Sequence, residues 1–395
     1  MTAWLRDRIP FSLKLFLKRQ RARFFDRKHQ NQKHIPHRQQ KSVIVFDDLL
    51  PTPDLDAGSA RMLLILQILA KQYNTVFVYR SKNADPRYEQ ALVNEGIESV
   101  NLIYYPEILK RQKFETAILS RPDLAQPLLR SLRKLAPETK IIFDSVDAHF
   151  RRLERQYQIS GDGQVKRKAE RYRQIELDVV RRCDIVWCTS EEDRVALTAE
   201  VPERSVAIIP TIHPLHGRGK SFDERRNLLF IGNFNHSPNR DAVVYFVEQV
   251  LPLIRLTLPD IQFDAVGSYT PENFRSYQSN GVRVHGYVPD VEPLFQSTRV
   301  FVAPIRFGAG VKGKIGDALS YGVPVVTTDV GAEGMRFQGG QQVLIANTPE
   351  DFARAVCEAY SNKELWQKLS NEGQQHIARY FSPAAVERTI LESVG

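Results

Sequence analysis

The feature that most constrains this chain is an alternation, sustained along most of its length, of short β-branched runs with longer helical patterns. From residue 42 the strand-like runs are Ser42–Asp47 (SVIVFD), Thr75–Tyr79 (TVFVY), Val100–Tyr105, Lys140–Phe143 (KIIF), Asp184–Thr189 (DIVWCT) and Val206–Ile209 (VAII). Between them lie helix-forming stretches at Ala60–Lys71, Pro86–Glu95, Glu107–Lys113, Leu124–Leu135 and the long, highly charged Phe150–Arg182. Short strands that are apolar throughout and separated by helices require a parallel sheet covered on both faces, because each crossover lays a helix on the sheet. Residues Pro210–Arg226 break the pattern with prolines, glycines and histidines and no apolar period, which reads as a linker. The alternation then restarts with Leu228–Phe234, Gln262–Val266, His285–Val288, Val300–Ile305, Val323–Thr328 and Val343–Ala346. Helices are predicted over Asp241–Leu256, Lys312–Tyr321, Pro349–Ser361 and Lys363–Tyr380. The expected fold class is therefore α/β, two tandem doubly wound, Rossmann-like parallel sheets facing a cleft. Its parts are an N-terminal domain over 42–212, a linker over 213–226 and a C-terminal domain over 227–380, with an arm at 1–41 and a short amphipathic helix within 381–395 that suits either domain. Ligands of such sheets bind beyond the carboxyl ends of the strands, so the cleft is the expected site.

Composition narrows the function. A chain of 395 residues with 42% apolar and 26% charged residues can bury more than one core and is not disordered. The three cysteines, Cys183, Cys188 and Cys357, have no metal-ligand spacing and fit a reducing compartment, so a cytoplasmic location is expected. The formal net charge is +9, but residues 1–41 hold twelve Lys and Arg against Asp7 and Asp26, which leaves the remainder near neutral. That distribution argues against a nucleic-acid-binding domain. In the arm, Leu13, Phe16, Leu17 and Phe24 fall on one side of a helical wheel and Lys14, Lys18 and Arg21 on another. This make-up suits a helix lying on an anionic membrane surface, and equally a solvated basic tail. It lacks the uninterrupted apolar stretch and cleavage site of a secretory signal, and no apolar run in the chain is long enough to span a bilayer.

The most informative stretch is PIRFGAGVKGKIGDAL, Pro304–Leu319. After a strand come Gly308, Gly310 and Gly313, whose backbone amides can approach a ligand closely, and then Lys312 and Lys314 at the start of a helix. Free amides, a positive helix N-terminus and two ammonium groups together suit a diphosphate. Asp317, about a turn further on, can accept hydrogen bonds from sugar hydroxyls such as those of ribose. A tight strand-to-helix turn with surface lysines is the plain alternative. In DSVDAHFRR, His149 follows a strand end with Asp144 and Asp147 beside it, a placement for proton handling or for hydrogen bonding to a sugar. Glu333, on the loop after VPVVTT, faces the cleft and either binds a sugar hydroxyl or caps a helix. Asp56, Gly58 and Ser59 open a helix, with Asp56 as its cap and Ser59 as a possible donor to a ligand. His236, His285, His213 and His216 read as turn and linker residues, and Ser190 as a cap for the helix begun by Glu191.

The chain here resembles a known family. GAGVKGKIGDALSYGVPVVTTDVGAEGM (Gly308–Met335) is similar to the donor-binding region of the GT-B retaining glycosyltransferases, the large family 4 that builds bacterial surface polysaccharides. LLFIGNFNHSPNRDAVVYF (Leu228–Phe246) and VHGYVPDVEPLFQSTRVFVAP (Val284–Pro304) resemble its C-terminal domain, and IVFDDLLPTPDLDAGSARM (Ile44–Met62) its N-terminal glycine loop. The resemblance covers roughly residues 42–380, more strongly in the C-terminal half, and implies transfer of a sugar, with retention, from a nucleoside-diphosphate donor to a carbohydrate or lipid-linked acceptor. It implies that Asp317 stands at the second carboxylate of the family's Glu-x7-Glu signature and binds ribose. The first carboxylate falls at Ala309, so the amides of Gly308–Gly310 are expected to contact the sugar. Near the first C-terminal strand, where the family often carries an Arg and a Lys for the diphosphate, this chain offers Asn233, Asn235 and Arg240. Lys312 and Lys314 are expected to stabilise the leaving diphosphate, His149 to orient sugar or acceptor, and Gly58 to approach the diphosphate from the opposite domain. No metal or other cofactor is expected, since the cations are built in. An epimerase on the same fold and a non-catalytic nucleotide- or partner-binding scaffold are the alternatives.

Overall fold

The computed structural model describes residues 41–81, 85–217, 219–278, 281–308 and 310–395. The expectations for the arm, Lys41 apart, and for Ala309 lie outside the described residues. The first half contains β1 (Ser42–Asp47), α1 (Ala57–Ala70), β2 (Asn74–Tyr79), α2 (Pro86–Asn94), β3 (Glu98–Asn101), α3 (Tyr105–Arg111) and β4 (Thr116–Ser120). It continues through α4 (Pro122–Leu135), β5 (Lys140–Asp144), α5 (His149–Ser160), α6 (Gly163–Arg182), β6 (Ile185–Cys188), α7 (Glu191–Glu200) and β7 (Ser205–Ile208). The second half contains β8 (Arg226–Ile231), α8 (Ser237–Tyr245), α9 (Leu251–Arg255), β9 (Phe263–Val266), β10 (Val282–Gly286), α10 (Glu292–Ser297) and β11 (Thr298–Ala303). It closes with α11 (Gly313–Ser320), β12 (Val325–Thr327), α12 (Asp329–Ala332), β13 (Leu344–Ile345), α13 (Pro349–Ser361), α14 (Lys363–Tyr380) and α15 (Pro383–Val394).

The strands form two sheets, a seven-stranded one ordered β3-β2-β1-β4-β5-β6-β7 and a six-stranded one ordered β10-β9-β8-β11-β12-β13. Neighbouring strands are parallel throughout, for example Val45 opposite both Phe77 and Ile118. Strand order reverses between β1 and β4 in the first sheet and between β8 and β11 in the second. The crevices that bind ligands in doubly wound sheets open at such reversals. All six residues of β1 are buried, and Val43, Val45, Phe77 and Ile142 pack one face against Ile65, Leu66 and Leu69 of α1.

Several expectations are revised. The central strand β4 (TAILS) escaped the sequence reading because its apolar run of Ala117–Leu119 is too short to stand out between two helices. The strand expected over Val100–Tyr105 ends at Asn101, whose side chain accepts from the Ile103 amide at 3.2 Å and starts a 3-10 turn instead. The single helix expected over Phe150–Arg182 is two, divided where Gly161 turns left-handed (φ 65°) and Asp162 caps the next helix. The helix α15 has a definite home. Val386, Ile390 and Val394 join the core of the first sheet, and Trp187 Nε1 donates to Ser393 Oγ at 3.0 Å. The chain therefore crosses back and ties its end to the N-terminal half.

Candidate functional site

Two helices, one from each half, meet by their N-termini. Asp56 caps α1, accepting from the Ser59 amide at 2.9 Å, and Lys312 stands at the N-cap of α11. A Cβ placed on Gly313, the first residue of α11, would lie 2.8 Å from the Cβ of Ala57, the first residue of α1. Only glycine permits that approach, so Gly313 sets how closely the halves close. The preceding loop contributes Gly308 (φ 129°) and Gly310 (φ 76°), both in backbone conformations that side chains resist. Gly310 lies against Asp147 of the first half, its Cβ position 3.8 Å from the aspartate Cβ.

The two lysines are held inward. Lys312 Nζ donates to the Gly310 carbonyl at 2.5 Å. Lys314 Nζ donates to Asn239 Oδ1 and sits 4.8 Å from the centre of the Phe230 ring. A Cβ on Gly232 would come within 3.0 Å of that ammonium group, so the glycine of FIGNF makes room for the lysine head. Neither lysine has a carboxylate within ion-pair distance among the described residues. Burial pushes Lys312 down to about 8, with only partial relief from Glu333, and pushes Lys314 down to about 7, with Lys312 adding to the effect. Two under-neutralised cations at a helix N-terminus form a site for a dianion.

His149 is arranged oppositely. Its Nδ1 lies 2.8 Å from Asp147 Oδ1 and 3.5 Å from Glu176 Oε1, and its ring stacks on Tyr172. Burial works against the charged ring, yet the hydrogen bonds to Asp147 and Glu176 outweigh it and raise His149 to about 10. Asp147 is driven well below the usual carboxylate range, burial being overcome by His149 and Arg152. Glu176, 1% exposed, also accepts from the amides of His149 (3.0 Å) and Phe150 (2.9 Å), capping α5. A histidine held as imidazolium cannot act as a general base. Held so, the ring is set to donate a hydrogen bond or a proton rather than to accept one. Asp144, the other flanking carboxylate, is fully buried in a bidentate pair with Arg61 at 2.8 and 3.0 Å and is structural.

The remaining candidates fall unevenly. Glu333 crosses the cleft to Arg155 at 2.5 Å and approaches Arg151 at 3.7 Å, while Arg151 also pairs with Asp193 at 2.7 Å. Ser59 gives its hydroxyl proton to Asp56 Oδ2 at 2.8 Å, so it completes the cap rather than facing a ligand. Asn235 is exposed in a turn closed by Asn233, and Arg240 turns back to the Phe234 carbonyl. Asp317 is bonded to Nδ1 of His213 at 2.7 Å. The reading of His213 as a plain linker residue is thereby corrected: it is 3% exposed and joins Asp317 to Thr211, while the linker backbone docks on Phe381. His216 likewise stacks on Tyr321, 4.0 Å between ring centres. Asn239, Gly232, His213 and Glu176 are the site residues that sequence reasoning missed.

At the carboxyl edge of the first sheet, Arg121 (φ 67°, ψ 137°) and Val146 (φ 62°) adopt conformations that cost non-glycine residues about 1–3 kcal/mol each. Nearby, Asp54 accepts from Tyr88 at 2.6 Å and from Tyr287 of the second half at 2.7 Å, a further bridge across the cleft. Among the described residues no three His, Cys, Asp or Glu side chains gather to hold a metal ion, and no helix is long and apolar enough to cross a membrane.

Comparison with known proteins bears on the fold. Residues 225–362 match the family model for glycosyl transferases group 1. A relative from Klebsiella pneumoniae, an uncharacterized 44.6 kDa protein in the cps region, is 29% identical over 194 residues, 47% of this chain. That match spans half the length of the relative. Among solved structures, TarM superposes with a TM-score of 0.71 at 10% identity, over 90% of this chain and 99% of its own. Anabaena HepE, solved with UDP and glucose, superposes with a TM-score of 0.64 at 11% identity, over 90% and 99%. At such identities the likeness shows the shared fold.

Proposed function

We propose that this chain, a GT-B fold carrying a group 1 glycosyltransferase domain over residues 225–362, transfers a sugar from a nucleoside-diphosphate donor to a carbohydrate acceptor. The observation that carries this reading is the pair of half-buried, under-neutralised lysines, Lys312 and Lys314, at the N-terminus of α11 where the two halves meet. A diphosphate supplies the charge that the site lacks. The presence of UDP in the HepE structure and the cps-region relative support the donor class and a role in surface polysaccharide synthesis.

In the reaction, the bond from the anomeric carbon to the β-phosphate oxygen breaks, and its electron pair stays on the diphosphate. Lys312, Lys314 and the loop amides of Gly308 and Gly310 stabilise that charge as it develops. The acceptor hydroxyl oxygen bonds to the same carbon from the face the diphosphate leaves, which retains configuration, and its proton passes to the departing phosphate. That route suits a cleft in which His149 is already protonated and Asp147 is held as a carboxylate. His149 then donates from Nε2 to a sugar hydroxyl, and Asp317, oriented by His213, accepts from the ribose. Because the lysines supply the positive charge, turnover is expected without a divalent ion and unchanged by EDTA. The arm composition supports an acceptor carried on a lipid at the cytoplasmic membrane face.

The test is NMR detection of donor binding and slow hydrolysis across UDP-, GDP-, TDP- and ADP-sugars, with wild type beside the Lys312→Ala/Lys314→Ala double variant. One donor bound and hydrolysed by wild type alone supports the reading. Binding without hydrolysis or transfer returns it to a scaffold, and conversion of the donor to another nucleotide sugar makes it an epimerase.

A further inference from the structure

The first sheet holds a cation that the reading above leaves unused. Arg121 lies at the carboxyl end of β4, beside β1, which is where strand order reverses and where doubly wound sheets bind ligands. Its Nε donates to Asp47 Oδ1 at 2.8 Å, which fixes the guanidinium plane, and the buried Asp47 is anchored in turn by the Asp48 amide. Nη1 and Nη2 make no hydrogen bond to the described residues. Nη2 points toward the start of α1, 3.7 Å from where a Cβ on Gly58 would sit. Gly58 follows Ala57, and Ala57 touches Gly313 of the lysine-bearing helix. The open edge of Arg121 therefore looks toward the start of α1, whose first residue meets the lysine-bearing helix.

Two further observations mark this strand end as built for a ligand. Arg121 keeps a backbone conformation suited to glycine although an arginine occupies it, with its amide donating to the Asp144 carbonyl at 3.0 Å. Ser120 and Asp144 are register partners, so Arg121 and Ser145 follow side by side. The Ser145 hydroxyl is buried with no hydrogen-bond partner among the described residues, and the next residue is the strained Val146. Backbone strain persists where the surrounding structure holds a functional geometry against it. The carboxylates facing Arg121 are Asp47, Asp48 and Asp56. Only Asp47 is bonded to it, through Nε, so the terminal fork stays free for a planar two-point contact with a phosphate.

We propose that Arg121 is a phosphate-binding residue of the N-terminal half, gripping a phosphate group in the cleft with its Nη1/Nη2 edge. The inference rests on the nucleotide-sugar reading above. The phosphate has two chemical sources: the diphosphate of the donor, met on closure, or a phosphate that links the acceptor glycan to its carrier.

The test uses the full chain, wild type beside Arg121→Gly, Arg121→Lys and Arg121→Ala, with calorimetric titration of UDP, GDP, TDP and ADP, of the matching nucleosides, and of pyrophosphate with the nucleotide site saturated. Arg121→Gly removes the cation and relieves the backbone but leaves the buried Asp47 without its partner, so the Tm of each variant is measured first and binding is compared at a temperature where all are folded; Arg121→Lys keeps a charge beside Asp47. For the donor source, the nucleoside diphosphate binds about 10–100-fold more weakly to Arg121→Gly, the size expected for loss of a charge-assisted contact, and the nucleoside binds unchanged. Arg121→Lys retains part of the affinity. For the acceptor source, nucleotide binding is unchanged, and pyrophosphate binding to the saturated enzyme is lost in Arg121→Gly. If wild type binds a nucleotide and all three variants bind both phosphates as it does, Arg121 is a structural partner of Asp47 and the inference fails alone. If wild type binds no nucleotide, the glycosyltransferase reading falls and takes this inference with it.

Discussion

The two walls of the cleft handle their ionisable groups in opposite ways. On the N-terminal wall every charge near His149 is answered: the imidazolium by Asp147 and Glu176, Arg152 by Asp147, Arg151 by Asp193, and Arg155 by Glu333 reaching across. On the C-terminal wall Lys312 and Lys314 have only a carbonyl and an amide oxygen as partners, and burial drives both toward neutrality. Charge neutralised within the protein contributes to stability and holds a geometry. Charge left unanswered costs stability and becomes a binding site when the missing anion arrives. The contrast predicts that mutations in the answered cluster around Glu176 disturb folding and that mutations of the two unanswered lysines disturb binding.

The largest effect is expected at Glu176. Its replacement by alanine removes one of the two carboxylates beside His149 and the acceptor of two backbone amides, all at a fully buried position. Chemical denaturation should show a loss of about 3–5 kcal/mol, with nucleotide affinity changed no more than a few-fold in the folded fraction. Lys314→Ala should behave in reverse, weakening nucleoside-diphosphate binding about 10–100-fold while Tm holds or rises. A fall in Tm would show that Lys314 is structural.

The charge on His149 can be followed through pH. Its folded-state value, about 10, lies above that of the unfolded chain, so the stability it contributes is complete below about pH 6.5 and declines as pH rises toward 10. The stability gap between wild type and His149→Gln should therefore be constant in acid and narrow across that window. A gap that widens with pH would mean the ring is neutral. The smallest effect is expected at Arg155→Ala. Its pair with Glu333 is partly exposed, and surface pairs contribute less than about 1 kcal/mol. Tm should barely move.

The same contrast explains how much could be read in advance. The glycine and lysine loop is contiguous in sequence, so its composition alone announces a phosphate site, and the burial of β1 is written in SVIVFD. The answered wall depends on residues far apart. Glu176 follows His149 by a whole helix and a turn, and the one clue to it is a carboxylate on the apolar face of α6 with Ala169, Val179 and Val180. Asn239 and Gly232, which place Lys314, and His213, which holds Asp317, act through tertiary contacts that no local pattern reveals. Near Asn235 and Arg240, set close to the diphosphate by resemblance, the Asn235 amide donates to Asn233 Oδ1 and Arg240 donates to the Phe234 carbonyl, contacts that no sequence pattern announces.

The most direct measurement is the affinity for a nucleoside diphosphate between pH 7 and 9.5, in wild type and in Lys312→Ala/Lys314→Ala. Binding to wild type should weaken steadily as the free lysines lose their protons above about 7 and 8, and the double variant should bind at least 100-fold more weakly with no such trend. Equal affinity in both proteins, or a wild-type affinity independent of pH, would contradict the account.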